Sequence, residues 1–390
     1  MPEQHQLIFS IFIIFSGAAL FSTLALLTHQ SMLVAYMILG IVLGPWGLKF
    51  VADPETVRHV GDIGILFLLF LLGLQLAPQK LWHMLKKVSL VGFISSLIFA
   101  LIGFLIMWFF GFSLTESIIT GAAMMFSSTI IGIKLLPTAT LQYQHTGEVM
   151  ISILLLQDIL AIVVLLMFRA LAASRNIFID IGLVVVSLPA LLIFAYAAEH
   201  FILRWLLAKF NRIKEYIFLL SITWCLALAQ LAVVSGLSAE IGAFIAGVSL
   251  AASPIAIYIA ESLKPIRDFF LVMFFFSVGA MFNLNYLSIV IVPALFLAGI
   301  LLIAKPVGFH WLLQQVGETQ SMAWEVGVRL GQLSEFSLIL AYVGLDYHLI
   351  DDVTANCIQA AAILSFIISS YWVVIRYHTP VAFSDRMRRD

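Results

Sequence analysis

The stretch Leu154-Leu-Leu-Gln157-Asp158-Ile-Leu-Ala-Ile162 places one carboxylate in the middle of an apolar run that extends over about 147–171. A spanning helix needs about 20 apolar residues, and this run is long enough. An ionisable side chain at the centre of a bilayer costs at least a few kcal/mol, so it is a functional candidate. The stretch therefore predicts a membrane helix with a buried acid at its middle.

The composition of the whole chain agrees with that interpretation. Of the 390 residues, 63% are hydrophobic and 11% are charged, whereas soluble domains have roughly 45–50% apolar and about 25% charged residues. The formal net charge of −1 provides no field that would attract a nucleic acid. This composition excludes a cytosolic enzyme, a disordered protein, a nucleic-acid binder and a disulfide scaffold, and it predicts an all-α polytopic membrane protein.

Apolar runs separated by Gly, Pro and charged residues predict thirteen transmembrane helices. They lie near 7–27, 32–44, 59–77, 88–110, 115–136, 147–171, 178–200, 213–235, 238–252, 262–281, 286–314, 322–344 and 354–377. The runs at 32–44 and 238–252 are short for a span. No Lys or Arg precedes the first run, unlike in a secretory signal peptide, so we expect a retained helix.

The distribution of Lys and Arg predicts the orientation. With the N-terminus outside, the outer loops hold Lys49, Arg58, Arg169 and Arg175. The inner loops then hold Lys80, Lys86, Lys87, Lys134, Arg204, Lys209, Arg212, Lys214, Lys264, Arg267, Arg376, Arg386, Arg388 and Arg389. Because cytoplasmic loops are enriched in basic residues, we expect the N-terminus outside and the C-terminus in the cytoplasm. This topology needs an odd number of helices, as thirteen is.

Three sequence patches recur at a nearly constant offset of 206–207 residues. Residues 36–40 match 243–247, residues 66–76 match 271–282, and residues 125–130 match 332–337. The matches predict two six-helix repeats, about 7–171 and about 213–377, joined by a linker helix at about 178–200. Seven crossings separate equivalent positions, so the repeats are expected to be inverted, as in secondary transporters. Channels also carry inverted repeats.

Asp158 and Gln157 are the first candidates for an ion site. Burial favours the neutral form of a carboxylate and a nearby cation favours its charged form, so Asp158 can hold either a proton or a metal cation. Gln157 offers a neutral carbonyl oxygen beside it, and we expect both residues to bind the metal ion. In the alternative interpretation, Asp158 only makes an interhelical hydrogen bond.

Lys305, late in the span at 286–314, is the expected charge partner of Asp158. An ion pair in the cation-free state would cover both buried charges, and arrival of a cation or a proton would release the lysine. Alternatively, Lys305 extends from a helix end towards the interface. The neighbouring Pro306 indicates such an end or a kink.

Small hydroxyl residues occupy equivalent positions of the two repeats. Ser127-Ser128-Thr129 corresponds to Ser334-Glu335-Phe336. Serine and threonine can satisfy an unwound backbone, and a helix broken there exposes the partial charges of its two half-helices. Free carbonyls or Thr129 could then ligate a cation, and Glu335 would neutralise the positive ends. Close packing of small residues is the alternative interpretation.

Other polar residues have simpler interpretations that we leave open. Glu240 follows Ser238 as at a helix start, and Arg329 can pair with Glu325 four residues earlier. The charged cluster at 261–268 forms either an inner mouth or a solvated loop. The nine histidines show no metal-ligand spacing, and Cys225 and Cys357 are expected to be buried in packing.

Several motifs together resemble the monovalent cation:proton antiporter-2 family, most closely the membrane domain of Kef-type potassium efflux systems. The resemblance covers about 30–380. It is carried by YMILGIVLGPWG at 36–47, DIGILFLLFLLGLQL at 62–76, Pro78 with Leu81 and Trp82, SSTIIGIKLL at 127–136, Leu156-Gln157-Asp158, IGAFIAGVSL at 241–250 and Ser334-Glu335-Phe336.

The resemblance implies a thirteen-helix, inverted-repeat, sodium/proton antiporter-like fold with crossed broken helices, the fifth and the twelfth. It implies a dimerisation scaffold and a mobile core that moves like an elevator. By position, Asp158 is the ion- and proton-binding carboxylate and Gln157 its neighbour. Lys305 is the partner, and the resemblance implies that Ser128, Thr129 and Glu335, at the crossing, also belong to the ion- and proton-binding site. One carboxylate, where many sodium/proton relatives have two, implies one-for-one exchange and potassium.

The chain departs from the family in two places. The crossover motif usually reads Gly-Glu-Phe, and Ser334 replaces the glycine. Kef-type proteins usually continue into a cytoplasmic nucleotide-binding domain, whereas 378–390 has no βαβ pattern. We therefore expect one transport domain over 1–390 with a short cytoplasmic tail at 378–390 and no nucleotide-binding domain in this chain. Either the sequence is cut short before that domain or the protein lacks it.

The leading interpretation is a potassium/proton antiporter in a bacterial inner membrane. It needs no cofactor, and its partners are the transported ions, the lipid bilayer, a second copy of the chain and, in one variant, a separate regulatory subunit. A sodium/proton antiporter on the same fold, a gated cation channel and a non-transporting membrane sensor or subunit remain as alternatives.

Overall fold

The computed structural model describes residues 3–28, 30–51, 54–75, 78–134, 145–172, 177–210, 212–237, 239–251, 253 and 255–379. This part of the chain is helical and contains no β-strand. The helices of repeat 1 and the linker are α1 Glu3–Leu27, α2 Met32–Leu43, α3 Pro54–Gln75, α4 Pro78–Phe109, α5 Leu114–Met124, α6 Thr129–Lys134, α7 His145–Ala172, α8 Ile177–Ala198 and α9 Arg204–Lys209. Those that follow are α10 Lys214–Val234, α11 Ala239–Leu250, α12 Ala256–Met281, α13 Leu287–Gln315, α14 Gln320–Arg329, α15 Glu335–Asp346 and α16 Asp352–Arg376.

Seven of the described segments are long and apolar enough to cross a membrane. They are Ile8–Leu27, Ser89–Phe109, His145–Leu165, Val186–Lys209, Lys214–Val234, Leu284–Gln315 and Asp352–Arg376, and shorter apolar helices cover Met32–Leu43, Gly61–Leu71 and Ile241–Leu250. The prediction of an all-helical multi-pass membrane protein is confirmed. Every predicted span overlaps a described helix or pair of helices, and the count of thirteen crossings stays a prediction.

Two of the predicted spans are broken in the middle. The span at 115–136 divides into α5 and α6 around residues 125–128, and the span at 322–344 divides into α14 and α15 around residues 330–334. Serines begin the second halves: Ser128 Oγ accepts from Ile131 N at 3.1 Å, and Ser334 Oγ accepts from Phe336 N at 3.1 Å. Because such hydroxyls compete with the helical hydrogen-bond pattern, the expected interruptions occur where the serines lie.

Two segments that were predicted as charged loops or loop edges are helical. A π-helical turn, Glu199–Leu203, joins α8 to α9, so the predicted helix at 178–200 continues to Lys209. Arg204 Nε donates to Glu199 Oε1 at 2.7 Å across this turn. The cluster at 261–268 lies within α12, where Arg267 pairs with Asp268. Arg204 and Arg267 form ion pairs within these helical segments, so the charged residues here lie in helices and not in loops.

The chain folds into two compact units, each built from segments that are distant in the sequence. The first unit comprises Met1–Pro54, Met84–Phe168 and Phe275–Asp390, and the second comprises Glu55–His83 and Arg169–Phe274. Each unit takes helices from both predicted repeats. All of the residues expected at the ion site belong to the first unit.

Glycines let helix backbones touch in each unit, and the pairs are related by the predicted repeat. In the first unit, a Cβ on Gly40 would overlap Phe276 O and one on Gly279 would overlap Met37 O. In the second unit, Gly73 and Gly247 make the same kind of contact. The sequence repeat equates Gly40 with Gly247 and Gly73 with Gly279, so one contact is the image of the other. The equivalence of these two glycine contacts supports the internal repeat.

Gly279→Ala should therefore destabilise the protein, because its new methyl group has only backbone to displace. We expect the free energy of unfolding to fall by about 1–3 kcal/mol, measured by thermal unfolding in detergent. Gly299→Ala on α13 is the matched control, since nothing lies within 4 Å of its Cβ, and it should stabilise slightly through helix propensity. Equal effects of the two substitutions would contradict the contact.

Candidate functional site

Asp158 lies in the middle of α7, buried with 1% of its surface exposed. The hydroxyl of Thr129, the first residue of α6, lies 3.3 Å from each oxygen of the Asp158 carboxylate. The Thr129 hydroxyl carries one proton, so it donates to one carboxylate oxygen at a time. The structure thus brings together the carboxylate and one crossover residue that the sequence singled out.

Gln157 bonds the backbone on both sides of the first break. Its Oε1 accepts from Ser127 N at 2.9 Å, and its Nε2 donates to Met125 O at 3.3 Å. The side-chain amide thus takes the place of the helical partners that the break removes from these two residues. Both ends of the amide bond backbone groups, and Oε1 keeps a second lone pair, so the metal-ligand role expected for Gln157 stays a prediction.

Ser128 is likewise used by the backbone. Its hydroxyl accepts from Ile131 N, and its carbonyl accepts from Gln332 Nε2 at 3.4 Å. It therefore caps α6 and ties the first break to the second, and no contact in the described part of the chain joins it to Asp158. The ion-binding role expected for Ser128 receives no direct support from these contacts.

The two breaks contact each other through reciprocal hydrogen bonds. Ser127 Oγ donates to Leu330 O at 2.8 Å, and Ser337 Oγ donates to Ala123 O. Ala123 and Leu330 are equivalent positions in the predicted repeat, and each is at the end of the first half of its broken helix. Each open helix end thus finds its hydrogen-bond donor in the other broken helix.

Lys305 is completely buried on α13 and donates to both breaks. Its Nζ donates to Phe126 O and, at 3.1 Å, to Gln332 O, and it lies 3.4 Å from Ser127 Oγ. The ring of Phe99 lies 5.5 Å from the same nitrogen. The expected Asp158–Lys305 ion pair is not among the ion pairs of the described residues. Instead, the lysine neutralises the partial negative charge that collects at the carbonyl ends of half-helices.

Glu335 is the first residue of α15 and has 2% of its surface exposed. Ser334 precedes it as the N-cap, so the carboxylate lies where the half-helix carries partial positive charge. It is also within electrostatic range of Asp158. The prediction that Glu335 lies at a positive helix end agrees with this placement.

Two polar residues at the crossing were not found from the sequence. Ser365 Oγ accepts from Leu333 N at 3.1 Å, and Ser369 Oγ donates to Gln332 Oε1 at 2.9 Å. Their spacing of four residues on α16 places them on one helix face, and that spacing was the only available signal. Glu240 has its side chain outside the described part of the chain. Among the residues that the structure describes, no three His, Cys, Asp or Glu side chains form a metal cluster.

The role of Gln157 as a support for the break predicts a loss of stability in Gln157→Leu. Ser127 N and Met125 O would lose their partner, and a buried unsatisfied group costs about 1–3 kcal/mol. Thermal unfolding in detergent measures this loss. Gln359→Leu is the matched control, since Gln359 is 5% exposed and its Oε1 has no partner among the described residues. A Gln359→Leu protein as unstable as Gln157→Leu would refute this role.

Comparison with known proteins places this geometry among transporters. The chain is 28% identical over 329 residues to K(+) efflux antiporter 6 of Arabidopsis thaliana, covering 83% of this chain and 55% of that protein. The chain thus spans about half the length of that relative. The structure of the sodium proton antiporter MjNhaP1 from Methanocaldococcus jannaschii has the same fold, with a TM-score of 0.70, 18% identity and coverage of 94% and 96% of the two chains.

The family of the chain follows from a broader match. The model of the transmembrane sodium/hydrogen exchanger family, whose members are transporters and not enzymes, matches residues 11–375. This range contains the two broken helices, Lys305 and the Gln157–Asp158 pair. The chain belongs to the transmembrane sodium/hydrogen exchanger family and resembles its Kef-type antiporters.

Proposed function

We propose that this protein exchanges a monovalent cation, potassium, for a proton at Asp158. The balance of buried charge at the crossing carries the proposal. Lys305 contributes one positive charge, while Asp158 and Glu335 each contribute a negative charge when ionised. A net negative charge away from water is unfavourable, so the site takes up one positive charge, and either a proton or an alkali cation provides it.

Competition for this single place produces exchange. A proton on Asp158 removes the charge that attracts the cation, and a bound cation keeps the carboxylate ionised. Thr129 Oγ1, 3.3 Å from both carboxylate oxygens, is positioned to donate to the empty carboxylate and to turn its lone pairs towards a bound cation. Coupled exchange follows if the site can change from facing one side of the membrane to facing the other only while it holds one of the two ions.

The choice of potassium over sodium rests on two observations. The relative that is 28% identical is named a K(+) efflux antiporter, whereas the likeness to the sodium proton antiporter, at 18% identity, concerns the fold. In addition, Gln157 stands beside Asp158 where a second acid would add another negative charge. A single carboxylate that holds either ion, Asp158, fits a one-for-one exchange of a monovalent cation for a proton.

The remaining parts of the proposal concern the whole assembly. We propose that the protein crosses a bacterial inner membrane thirteen times, in two inverted repeats and a linker helix. Its N-terminus lies outside and its C-terminus lies in the cytoplasm. The helices that carry the crossing move as an elevator within a homodimer. The exchange needs the two ions and no cofactor.

Asp158→Asn should reduce exchange to background, because the amide neither ionises nor releases a proton. In vesicles that contain a pH-sensitive dye, potassium added outside should enter in exchange for protons that leave, so the purified protein should alkalinise the lumen, and this signal should saturate. Asp352→Asn makes the same chemical change at an exposed position in the first turn of α16 and should leave the signal intact.

Three outcomes would decide against the proposal. Exchange that persists in Asp158→Asn would remove the mechanism. Saturation with sodium and no response to potassium would assign the site to sodium. A steady ionic current without coupled proton movement would indicate a cation channel.

Removing the positive charge of Lys305 should shift the pH dependence of exchange. In Lys305→Met the net charge of the ionised site becomes more negative, so ionising Asp158 becomes harder and the half-maximal rate should move to higher pH. Lys264→Met, in the charged cluster of α12, provides the control. A pH profile that matches that of the unmodified protein would limit Lys305 to a structural role.

A further inference from the structure

Arg329, the last residue of α14, is a buried cation that the exchange reaction does not use. Its side chain is 2% exposed, and its Nε donates to Glu325 Oε1 at 2.9 Å. Its Nη2 also donates to His378 O at 3.0 Å, and the ring of Tyr377 lies 5.2 Å from the guanidinium carbon. Arg329 therefore joins α14 to the chain that follows α16. A guanidinium remains charged in proteins, so its burial requires these partners.

The residues beside Arg329 belong to the crossing. Two residues before it, Gly327 contacts the backbone of Pro306, where a Cβ would lie 2.6 Å from Pro306 O. One residue after it, Leu330 O accepts from Ser127 Oγ. Three residues after it, Gln332 O accepts from Lys305 Nζ. A displacement of Arg329 along the helix would therefore move two carbonyls away from their donors.

Neither of these two carbonyl contacts involves the arginine side chain itself. A cation in the last turn of a helix interacts favourably with the helix dipole whether it is buried or exposed. An interaction with the dipole alone would therefore not require a buried arginine. Arg329 is instead buried, with its guanidinium bonded to Glu325 and to His378 O beside an aromatic ring. These contacts fix the end of α14 relative to residues 377–378. Rigid support of this kind is what an ion site needs from the residues behind its ligands.

We infer that Arg329 is a positioning residue for ion exchange. By fastening the end of α14 to residues 377–378, it holds the carbonyls of Leu330 and Gln332 where Ser127 and Lys305 reach them. It acts through the crossing and does not touch the transported ion. The inference rests on the proposed function only for its effect on transport, since the geometry of the crossing can be measured separately.

The transport test uses the full chain in vesicles, with potassium titrated at several pH values. Arg329→Gln should raise the potassium concentration for half-maximal exchange by about tenfold or more and shift the pH profile. Arg329→Lys keeps the charge but cannot hold both partners with one planar fork, so it should give an intermediate value. It also carries the test if Arg329→Gln does not fold.

Arg204→Gln is the matched control, because Arg204 Nε also bonds a glutamate that precedes it on its own helical segment, at 2.7 Å from Glu199 Oε1. This control should leave the half-saturating concentration and the pH profile unchanged. A purely structural arginine at 329 would lower the unfolding temperature and the amount of protein while both transport readouts stayed constant. That pattern would overturn the inference.

Hydrogen exchange of the backbone amides tests the positioning without transport. Arg329→Gln should lose protection at residues 330–333 and also at 127–128, while α10 keeps its protection. Unchanged protection at 330–333 would overturn the inference whatever the transport result. If the unmodified protein exchanges neither potassium nor sodium, the proposed function fails, and the amide measurement still decides the role of Arg329.

Discussion

Two interrupted helices can lie inside a membrane only if the charges at their open ends are compensated. Each half-helix presents roughly half an elementary charge at its end, positive at the N-terminus and negative at the C-terminus. Lys305 contacts the carbonyls of Phe126 and Gln332, one from each break. Asp158 and Glu335 lie beside the opposite ends, at the starts of α6 and α15. Every other feature of the site depends on this arrangement.

When Asp158 and Glu335 are both ionised, Lys305 balances one of their charges and one negative charge remains. A fully balanced site would bind no ion strongly, whereas a site with two uncompensated acids would hold a cation and release it slowly. A single excess charge in a buried site makes proton and cation alternatives to one another. The same groups that stabilise the broken helices therefore create the condition for exchange.

Side chains replace the hydrogen bonds that the breaks remove. In hydrocarbon, each unpaired backbone group costs several kcal/mol. Ser127 and Ser337 donate to the carbonyls at the two first-half ends, and Gln157 bonds both sides of the first break. The polar residues of the crossing thus serve the backbone first, while the hydroxyl of Thr129 faces the carboxylate of Asp158.

The burial of Asp158, Lys305 and Glu335 was predictable, and so was the pairing of Arg329 with Glu325. The burial of Glu199 and the partners of Lys305 were not predictable. Asp158, Lys305 and Glu335 stand out in apolar runs because hydrocarbon tolerates few ionisable groups. The predicted partner of Lys305 differs from the observed ones, since linear sequence does not reveal that two sets of helix carbonyls lie within reach of its ammonium group. Arg204 was placed in a loop, and the cluster at 261–268 at an inner mouth or in a solvated loop. Both lie in helical segments, where Arg204 and Arg267 form ion pairs. Ser365 and Ser369 offered only their spacing of four residues as a signal, and serine is common in helix packing.

By itself, the sequence determined that the chain crosses a membrane, that Asp158 and Glu335 are buried and where two of its helices break. Composition and local hydrogen bonding dictate these properties, and both act between residues that are close along the chain. Only the tertiary structure decided that Gln157 supports a break, that Lys305 serves two helix ends and that Arg329 holds the chain after α16. Those roles depend on which atoms lie within about 3 Å across different helices, and that distance is set by packing between residues that are far apart along the chain.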